Sequence, residues 1–182
     1  MYIAIHDDET TYIGVTNREY ITGQPEDAIP EENLPIVRGK RGEGIMVATD
    51  GFCAAADLAR DIAKKLSGKI DGERMINEIE PMVKECHEFY NQTNNGGRYK
   101  TSVLVGTKEG LYEICGGSVS KTDFVTSDYE SICKCAYLSS DGKPSVERML
   151  YVFREAERMR NISLFPISIY DVRTGKRKIY RK

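Results

Sequence analysis

The side chains best suited to catalysis or metal binding in this sequence are its thiols and imidazoles, and their spacing forms no recognisable site. Cys133 and Cys135 could give two thiolates to a metal, but no second cysteine pair or histidine cluster accompanies them. His6 and His87 are far apart and lack the spacing of a zinc protease. Cys53 begins a predicted helix, whose dipole favours a thiolate, yet no base adjoins it. We interpret the cysteines as small buried residues and predict no metal site.

Glycine-rich and acidic segments could bind phosphates or calcium. The segments 42–44 and 96–97 lack the Lys-Ser/Thr of a P-loop and have no GxGxxG spacing. The acidic run Asp7-Asp8-Glu9 lacks the further oxygen ligands of a calcium loop. All three segments are interpreted as turns, so the sequence predicts no bound cofactor.

Composition bounds the class of protein. The 182 residues carry a net charge of −2, with 40% hydrophobic and 30% charged residues, which favours one globular domain over residues 1–182. This charge excludes a broad basic field for nucleic acid. No apolar run approaches the roughly 20 residues of a membrane span, and the N-terminus lacks a signal-peptide pattern. The five scattered cysteines do not indicate a disulfide framework, and we expect a cytoplasmic protein.

Hydrophobic periodicity predicts a succession of hairpins and helices. Residues 1–17 predict an antiparallel hairpin, and the composition of 23–33 predicts a loop. Asp71 is the predicted N-cap of a helix that Pro81 kinks or splits. Ser145 is predicted to cap a long helix that ends near residue 161. The other predicted elements are a strand at 45–48, a helix at 55–66, strands at 101–106 and 110–115, a short segment at 123–126 that leads into a helical segment at 132–138, and a hairpin of 166–172 with 176–180.

Two sheets with helices outside them would bury all of these apolar stripes. This order of elements resembles the proteasome β-subunit family of N-terminal-nucleophile (Ntn) hydrolases, including the smaller bacterial ring protease of the same fold. Four segments carry the resemblance over essentially the whole chain. They are the opening hairpin, the strand-to-helix junction Gly44–Gly51 with Ala54–Asp57, the central hairpin from Val103–Gly106 through Leu111-Tyr112 to Gly116–Val119, and the helix Ser145–Asn161 followed by Pro166–Val172.

The resemblance implies an α/β (α+β) fold, a four-layer αββα sandwich, and peptide-bond hydrolysis in active members. In those members an N-terminal Thr hydroxyl attacks, the chain's own α-amine is the base, and a Lys held by carboxylates assists. The corresponding positions here carry other side chains. Met1 or Tyr2 stands at the Thr position, Asn17 at the acid of the second strand, Asn33 or Leu34 at the Lys, and Asn161 at the acid after the long helix, while Ser127 matches one accessory position.

The resemblance therefore implies a pseudoenzyme with no assigned catalytic residue, acting as an assembly or interaction module. We expect a homo-oligomer, because the helices of this fold lie outside and mediate contacts between subunits. The long helix points the same way, since its apolar content exceeds what one core face requires. The residues concerned are Met149, Tyr151, Phe153 and Met159.

Two alternative functions remain open. An active threonine-type peptidase or amidohydrolase would need another nucleophile, and Thr10 is the candidate if cleavage after Glu9 exposed it. Propeptides of the family usually end in Gly, and this cleavage would delete a well-patterned strand. The second alternative is a small-molecule binding domain that uses the cleft at the family's active-site position.

Overall fold

The computed structural model describes residues 1–16, 18–21, 24–27, 36–51, 53–93, 101–115 and 118–182. The strands are β1 (Tyr2–His6), β2 (Thr11–Thr16), β3 (Arg18–Ile21), β4 (Gln24–Asp27), β5 (Ile36–Arg38), β6 (Gly44–Gly51), β7 (Thr101–Gly106), β8 (Leu111–Cys115), β9 (Ser118–Thr122), β10 (Phe124–Thr126), β11 (Ile167–Asp171) and β12 (Lys176–Tyr180). The helices are α1 (Cys53–Leu66), α2 (Gly72–Thr93), α3 (Glu130–Ser139) and α4 (Ser145–Arg160).

Two five-stranded antiparallel sheets form the centre of the structure. The first sheet has the strand order β10-β1-β2-β11-β12, and the second has the order β5-β6-β7-β8-β9. The predicted opening hairpin is confirmed, with Tyr2 opposite Val15 and His6 opposite Thr11. β1 therefore lies inside the first sheet, paired on one side with β2 and on the other with β10.

Buried apolar side chains form three layers. One layer lies between the two sheets, a second lies between the second sheet and helices α1 and α2, and a third lies between the first sheet and helices α3 and α4. The strand period of two explains how β1 serves two layers, because Tyr2 and Ala4 face the other sheet while Ile3 and Ile5 face the helices. The order helix–sheet–sheet–helix is the predicted αββα sandwich, and this prediction is confirmed.

Gly14 marks the closest approach of α4 to the first sheet. A Cβ placed on Gly14 would lie 2.8 Å from Cε2 of Phe153 and would also overlap the Met149 sulfur. Both side chains are fully buried, so neither has room to move away. Glycine at this position lets the helix pack directly against the strand that bears it.

Three local predictions require comment. Part of the predicted loop 23–33 is wrong, because β4 pairs with β3 in a separate two-stranded sheet. Pro25 in β4 is typical of a loop and so led to the wrong prediction, although an edge strand of a short hairpin tolerates proline. Helix α2 runs without a break through Pro81, and Asp71 caps it by accepting a hydrogen bond from the Arg74 N–H at 3.0 Å. The predicted cap at Ser145 is wrong: Ser145 is the first helical residue, and its hydroxyl donates to Oδ2 of Asp7 at 2.6 Å.

Candidate functional site

The first residues of β1 are fixed from both sides. The Met1 nitrogen lies 3.3 Å from Oγ1 of Thr16, and the Thr16 N–H donates to the Met1 carbonyl at 3.1 Å. On the other side, the Tyr2 N–H donates to Oγ of Ser127 at 3.0 Å, and the Ser127 N–H returns a bond to the Tyr2 carbonyl at 3.1 Å. Ser127, the one accessory position that matched the resemblance, therefore holds the start of β1 against the end of β10.

A pocket of about 330 Å³ opens beside Met1, and we call it the N-terminal pocket. This is the position at which the resemblance places a catalytic threonine. Here the Met1 thioether lines it, with apolar side chains opposite. The described residues that line it are Met1, Thr16, Asp128, Tyr129, Ile162 and Leu164.

The segment from Ser127 into α3 separates the N-terminal pocket from a larger cavity. Ser127 Oγ donates to Oδ2 of Asp128 at 2.8 Å, and Tyr129 adopts a left-handed backbone with φ of 53°. The guanidinium of Arg160 lies 4.9 Å from the centre of the Tyr129 ring. Cys133 donates its thiol to the Asp128 carbonyl at 3.6 Å, and burial raises the pKa of that thiol, which makes it a poor nucleophile.

The larger cavity, which we call the edge cleft, has a volume of about 680 Å³. A hydrogen-bond chain begins at Tyr2, whose buried phenol lies 3.0 Å from Oγ of Ser102. Ser102 donates its only hydroxyl proton to Oε1 of Glu113 at 2.8 Å, so the phenol is the donor to Ser102. The cleft is lined by Ser102, Glu113, Cys115, residues 122–130, Lys134, Tyr137 and Leu138.

The residues that stood at catalytic positions divide into three groups. Met1, Tyr2 and Ser127 come together at the start of β1. Asn161 is the left-handed residue that ends α4, with φ of 51°, and it lies next to Ile162 of the N-terminal pocket. The positions Asn17, Asn33 and Leu34 lie outside the described residues.

Thr10, the alternative nucleophile, lies at the opposite end of β1 from Met1. Its side chain is fully buried. Its hydroxyl donates to Oδ1 of Asp171 at 3.4 Å and accepts from the Arg173 N–H at 3.1 Å. These bonds fix the hairpin turn against β11, which is a structural role.

The remaining thiols and imidazoles do not converge. Cys133 is buried as expected, whereas Cys135 is exposed, because α3 turns that position towards solvent. His6 lies 3.0 Å from Oγ1 of Thr11, and His87 lies 3.2 Å from the Asn91 amide nitrogen. The side chain of Cys53 lies outside the described residues. Within the described ranges, no group of three or more His, Cys, Asp or Glu side chains is placed to hold a metal ion.

Sequence reasoning missed the residues that shape the edge cleft. Glu113 follows Leu111 by two positions, so its side chain lies on the inward face of β8. A carboxylate at an inward position of a predicted strand was the available signal. Ser102 stands on the same face of β7 as the buried Leu104, and Thr16 gave no signal of its own.

The structure has two facing antiparallel sheets, and two helices cover each of them. The first residues of β1 lie between the sheets. This arrangement is the fold of the proteasome-type Ntn hydrolases. Solved structures share it over the whole chain. The Anbu protein (ancestral beta-subunit) from Yersinia bercovieri has a TM-score of 0.68 and 11% identity, covering 100% of this chain and 87% of that one. The helical assembly of the Anbu complex from Pseudomonas aeruginosa gives 0.71 and 14%, covering 100% and 86%.

HslV from Trypanosoma brucei gives a TM-score of 0.62 and 15% identity, covering 93% of this chain and 98% of that one. No family model and no curated protein matches the sequence. The likeness at these identities is one of fold. No helix in the described part of the chain has the length and apolarity needed to cross a membrane.

Proposed function

We propose that this chain is a non-catalytic subunit of the proteasome-type fold, which builds a homo-oligomeric assembly and does not perform N-terminal-nucleophile hydrolysis. The observation that carries this proposal is the N-terminal pocket. Met1, just before β1, carries a thioether, and Tyr2, the first residue of β1, carries a buried phenol; neither offers a β-hydroxyl beside a free amine.

The electrostatics around the N-terminal pocket support the same proposal. The family's chemistry needs a Lys near the amine to lower its pKa and to stabilise developing charge. Among the described residues that line the N-terminal pocket, none is a lysine, and the one carboxylate, Asp128, accepts a hydrogen bond from the hydroxyl of Ser127. Asparagine at position 161 also carries no charge with which to orient a cation.

Exposed apolar side chains on the outer helices support self-association. Phe89 and Met82 are 59% and 43% exposed, and their spacing of seven residues places them on one face of α2. On α4, Met149 and Phe153 belong to the core, whereas Met159 is 56% exposed. The Pseudomonas aeruginosa Anbu complex is itself described as a helical assembly.

A second candidate function, residual amide hydrolysis, rests on one contact. Where Met1 carries the free amino group, that amine lies 3.3 Å from the Thr16 hydroxyl, so a base and a nucleophile are adjacent although they belong to different strands. Burial opposes this function, because Thr16 is only 2% exposed and a substrate carbonyl would have to reach it through the N-terminal pocket.

One assay of the purified full chain tests both candidates. Fluorogenic peptides with basic, acidic and large apolar residues before the scissile bond should give no turnover above the rate without protein. Sedimentation velocity at tens of micromolar, a concentration that reveals roughly micromolar contacts, should show a species larger than the monomer.

The matched variants Thr16→Val and Thr10→Val identify the source of any activity. Turnover that disappears in Thr16→Val and persists in Thr10→Val would establish the second candidate and contradict the first. A strictly monomeric profile would contradict the assembly role.

A further inference from the structure

The two long sides of the sandwich differ in which strands they expose. β10 and β12 are the opposite edges of the first sheet, and β9 and β5 are the opposite edges of the second. A single residue, Asp123, joins β9 to β10, so these two edges share one side. β5 and β12 share the other side, because a Cβ on Gly175, in the turn before β12, would lie 3.3 Å from the guanidinium of Arg38.

On the first of these sides the edge cleft reaches from β8 of the second sheet to β10, the last strand of the first sheet, and to α3. Glu113 and Cys115 lie on the same face of β8 as Leu111, which is buried between the sheets, and both line the cleft. A further strand beside β10 would therefore lie along the cleft.

The backbone of β10 offers one residue, Thr126, to such a strand. Val125 pairs with Ala4, and the flanking bonds from the His6 N–H to Asp123 and from Ser127 to Tyr2 also point towards β1. Because the backbone groups of successive residues in a strand point in opposite directions, those of Phe124 and Thr126 point towards the cleft. The Thr122 hydroxyl bonds both backbone groups of Phe124, which leaves Thr126 to start a new ladder.

Charge specifies what the new strand should carry. Among the described residues that line it, the edge cleft has more carboxylates than ammonium groups, with Glu113, Asp123, Asp128 and Glu130 against Lys134. β12 is a strand of the opposite character, reading Lys-Arg-Lys-Ile-Tyr and followed by Arg181 and Lys182. Lysines on an exposed edge normally prevent sheets from pairing, because their charges repel an incoming strand. An acidic cleft removes that repulsion and selects one partner.

We propose that β12 of one copy inserts into the edge cleft of the next copy and pairs with β10, so that the first sheet continues from copy to copy. This rests on the proposed assembly role and adds a strand contact to the exposed helix side chains that support it. The two faces of β12 match the two walls of the cleft. Arg177 lies on the face that looks towards the second sheet, where Glu113 stands, and Lys178 lies on the helix face, where Glu130 stands.

The contact joins two different surfaces, so it is heterologous. Repeating it either closes a ring or produces an open helix. Neither outcome uses the two-fold symmetry of a simple dimer. Because the two surfaces differ, substitutions can be made on β12 in one variant and in the edge cleft in another. The first test uses this difference.

One variant carries Lys176→Glu and Lys178→Glu, and the other carries Asp123→Lys and Glu130→Lys. All four side chains are exposed. Each variant alone should lose assembly by at least about tenfold in dissociation constant, because like charges then meet at the contact. An equimolar mixture should reassociate in sedimentation velocity, since the reversed charges of one variant match those of the other. Lys64→Glu with Lys65→Glu, at exposed positions on α1, is the charge-matched control for the first variant and should assemble as the unmodified chain does.

A cross-link provides a second test with a native thiol. Ile179 is 45% exposed and lies on the face of β12 that would meet Cys115. Mild oxidation of Ile179→Cys should give a ladder of disulfide-linked copies, and Cys115→Ser in the same chain should abolish the ladder. Assembly that survives in both charge variants, or a ladder that persists without Cys115, would overturn the β12 contact and leave the assembly role standing. An unmodified chain that stays monomeric would overturn both.

Discussion

The two ends of the β1–β2 hairpin have the same backbone pairing but opposite surroundings. At the closed end, Asp7 accepts bonds from the N–H groups of Glu9 and Thr10 and from the Ser145 hydroxyl, and Thr10 is bonded to Asp171. At the open end, Met1 and Thr16 line the N-terminal pocket, and Tyr2 bonds Ser102 and Ser127 of the edge cleft. Polar groups at the closed end are bonded within a turn, whereas several of those at the open end line cavities.

Deleting residues 1–9 should have the largest effect. The deletion removes β1, which pairs with two strands, together with the fully buried Ile3 and Ile5. Burial of each such side chain contributes about 1.5–3 kcal/mol, against the roughly 5–15 kcal/mol that stabilises a domain. We expect the truncated chain to lack cooperative thermal unfolding by circular dichroism. If the truncated protein folds, hydrolyses peptides and loses this activity on Thr10→Ala, the active site lies at the closed end and the proposal is contradicted.

The isosteric pair Thr10→Val and Thr16→Val compares the two ends directly. Thr10→Val should lower the free energy of unfolding by about 0.5–1.5 kcal/mol, because the fully buried Thr10 hydroxyl loses its 3.1 Å bond from the Arg173 N–H, although Arg173 and Asp171 keep their bond to each other. Thr16→Val should cost less, because its contacts to Met1 lie at 3.3 and 3.4 Å, near the limit of hydrogen bonding. Urea unfolding at pH 7 measures both. Equal losses, or a larger loss for Thr16→Val, would contradict the contrast between the ends.

A smaller effect is expected in the pH dependence of stability. Burial alone would raise the pKa of the Asp7 carboxyl, but hydrogen bonds from Ser145, Thr10 and Glu9 together hold that pKa below its ordinary value. A lowered folded-state pKa stabilises the protein above the unfolded-state pKa, and this stabilisation is lost as pH falls through the folded-state pKa. Asp7→Asn should therefore be less stable than the unmodified chain at pH 7, and the difference should shrink in acid. A difference that is constant from pH 7 to about pH 3 would exclude this role.

Much of the fold could be predicted because local pattern and burial agree. The alternation of Ile3 and Ile5 with Ala4, and the apolar stripe of α4, each specify one buried face. β4 could not be predicted, because its proline and acidic residues look like a loop and only its pairing with β3 makes it a strand. Ser145 was misplaced by one helical position, since its hydroxyl is used by Asp7, which lies 138 residues away in sequence.

The site was predictable only in part, because contacts distant in sequence create it. The resemblance assigned Met1 or Tyr2 to the nucleophile position and Ser127 to an accessory position, and the structure joins Tyr2 to Ser127 by two hydrogen bonds. It could not show that the first sheet ends at β10 and leaves Glu113 facing a cleft, since that depends on where one sheet stops relative to another. The alternation of apolar and polar residues along one strand indicates which side chains share a face, but it does not indicate which element packs against that face.

The central claim is that the chain has the proteasome-type fold but no nucleophile at the open end of the β1–β2 hairpin. Covalent trapping tests this claim most directly. The purified full chain would be incubated with a peptide epoxyketone, which reacts with a hydroxyl and an amine held together at a chain start, and its intact mass then measured. We predict the mass of the unmodified chain, because Met1 and Tyr2 carry no β-hydroxyl. An adduct of one inhibitor per chain at the start of β1 would contradict the account. So would an adduct at Thr16 that is lost in Thr16→Val.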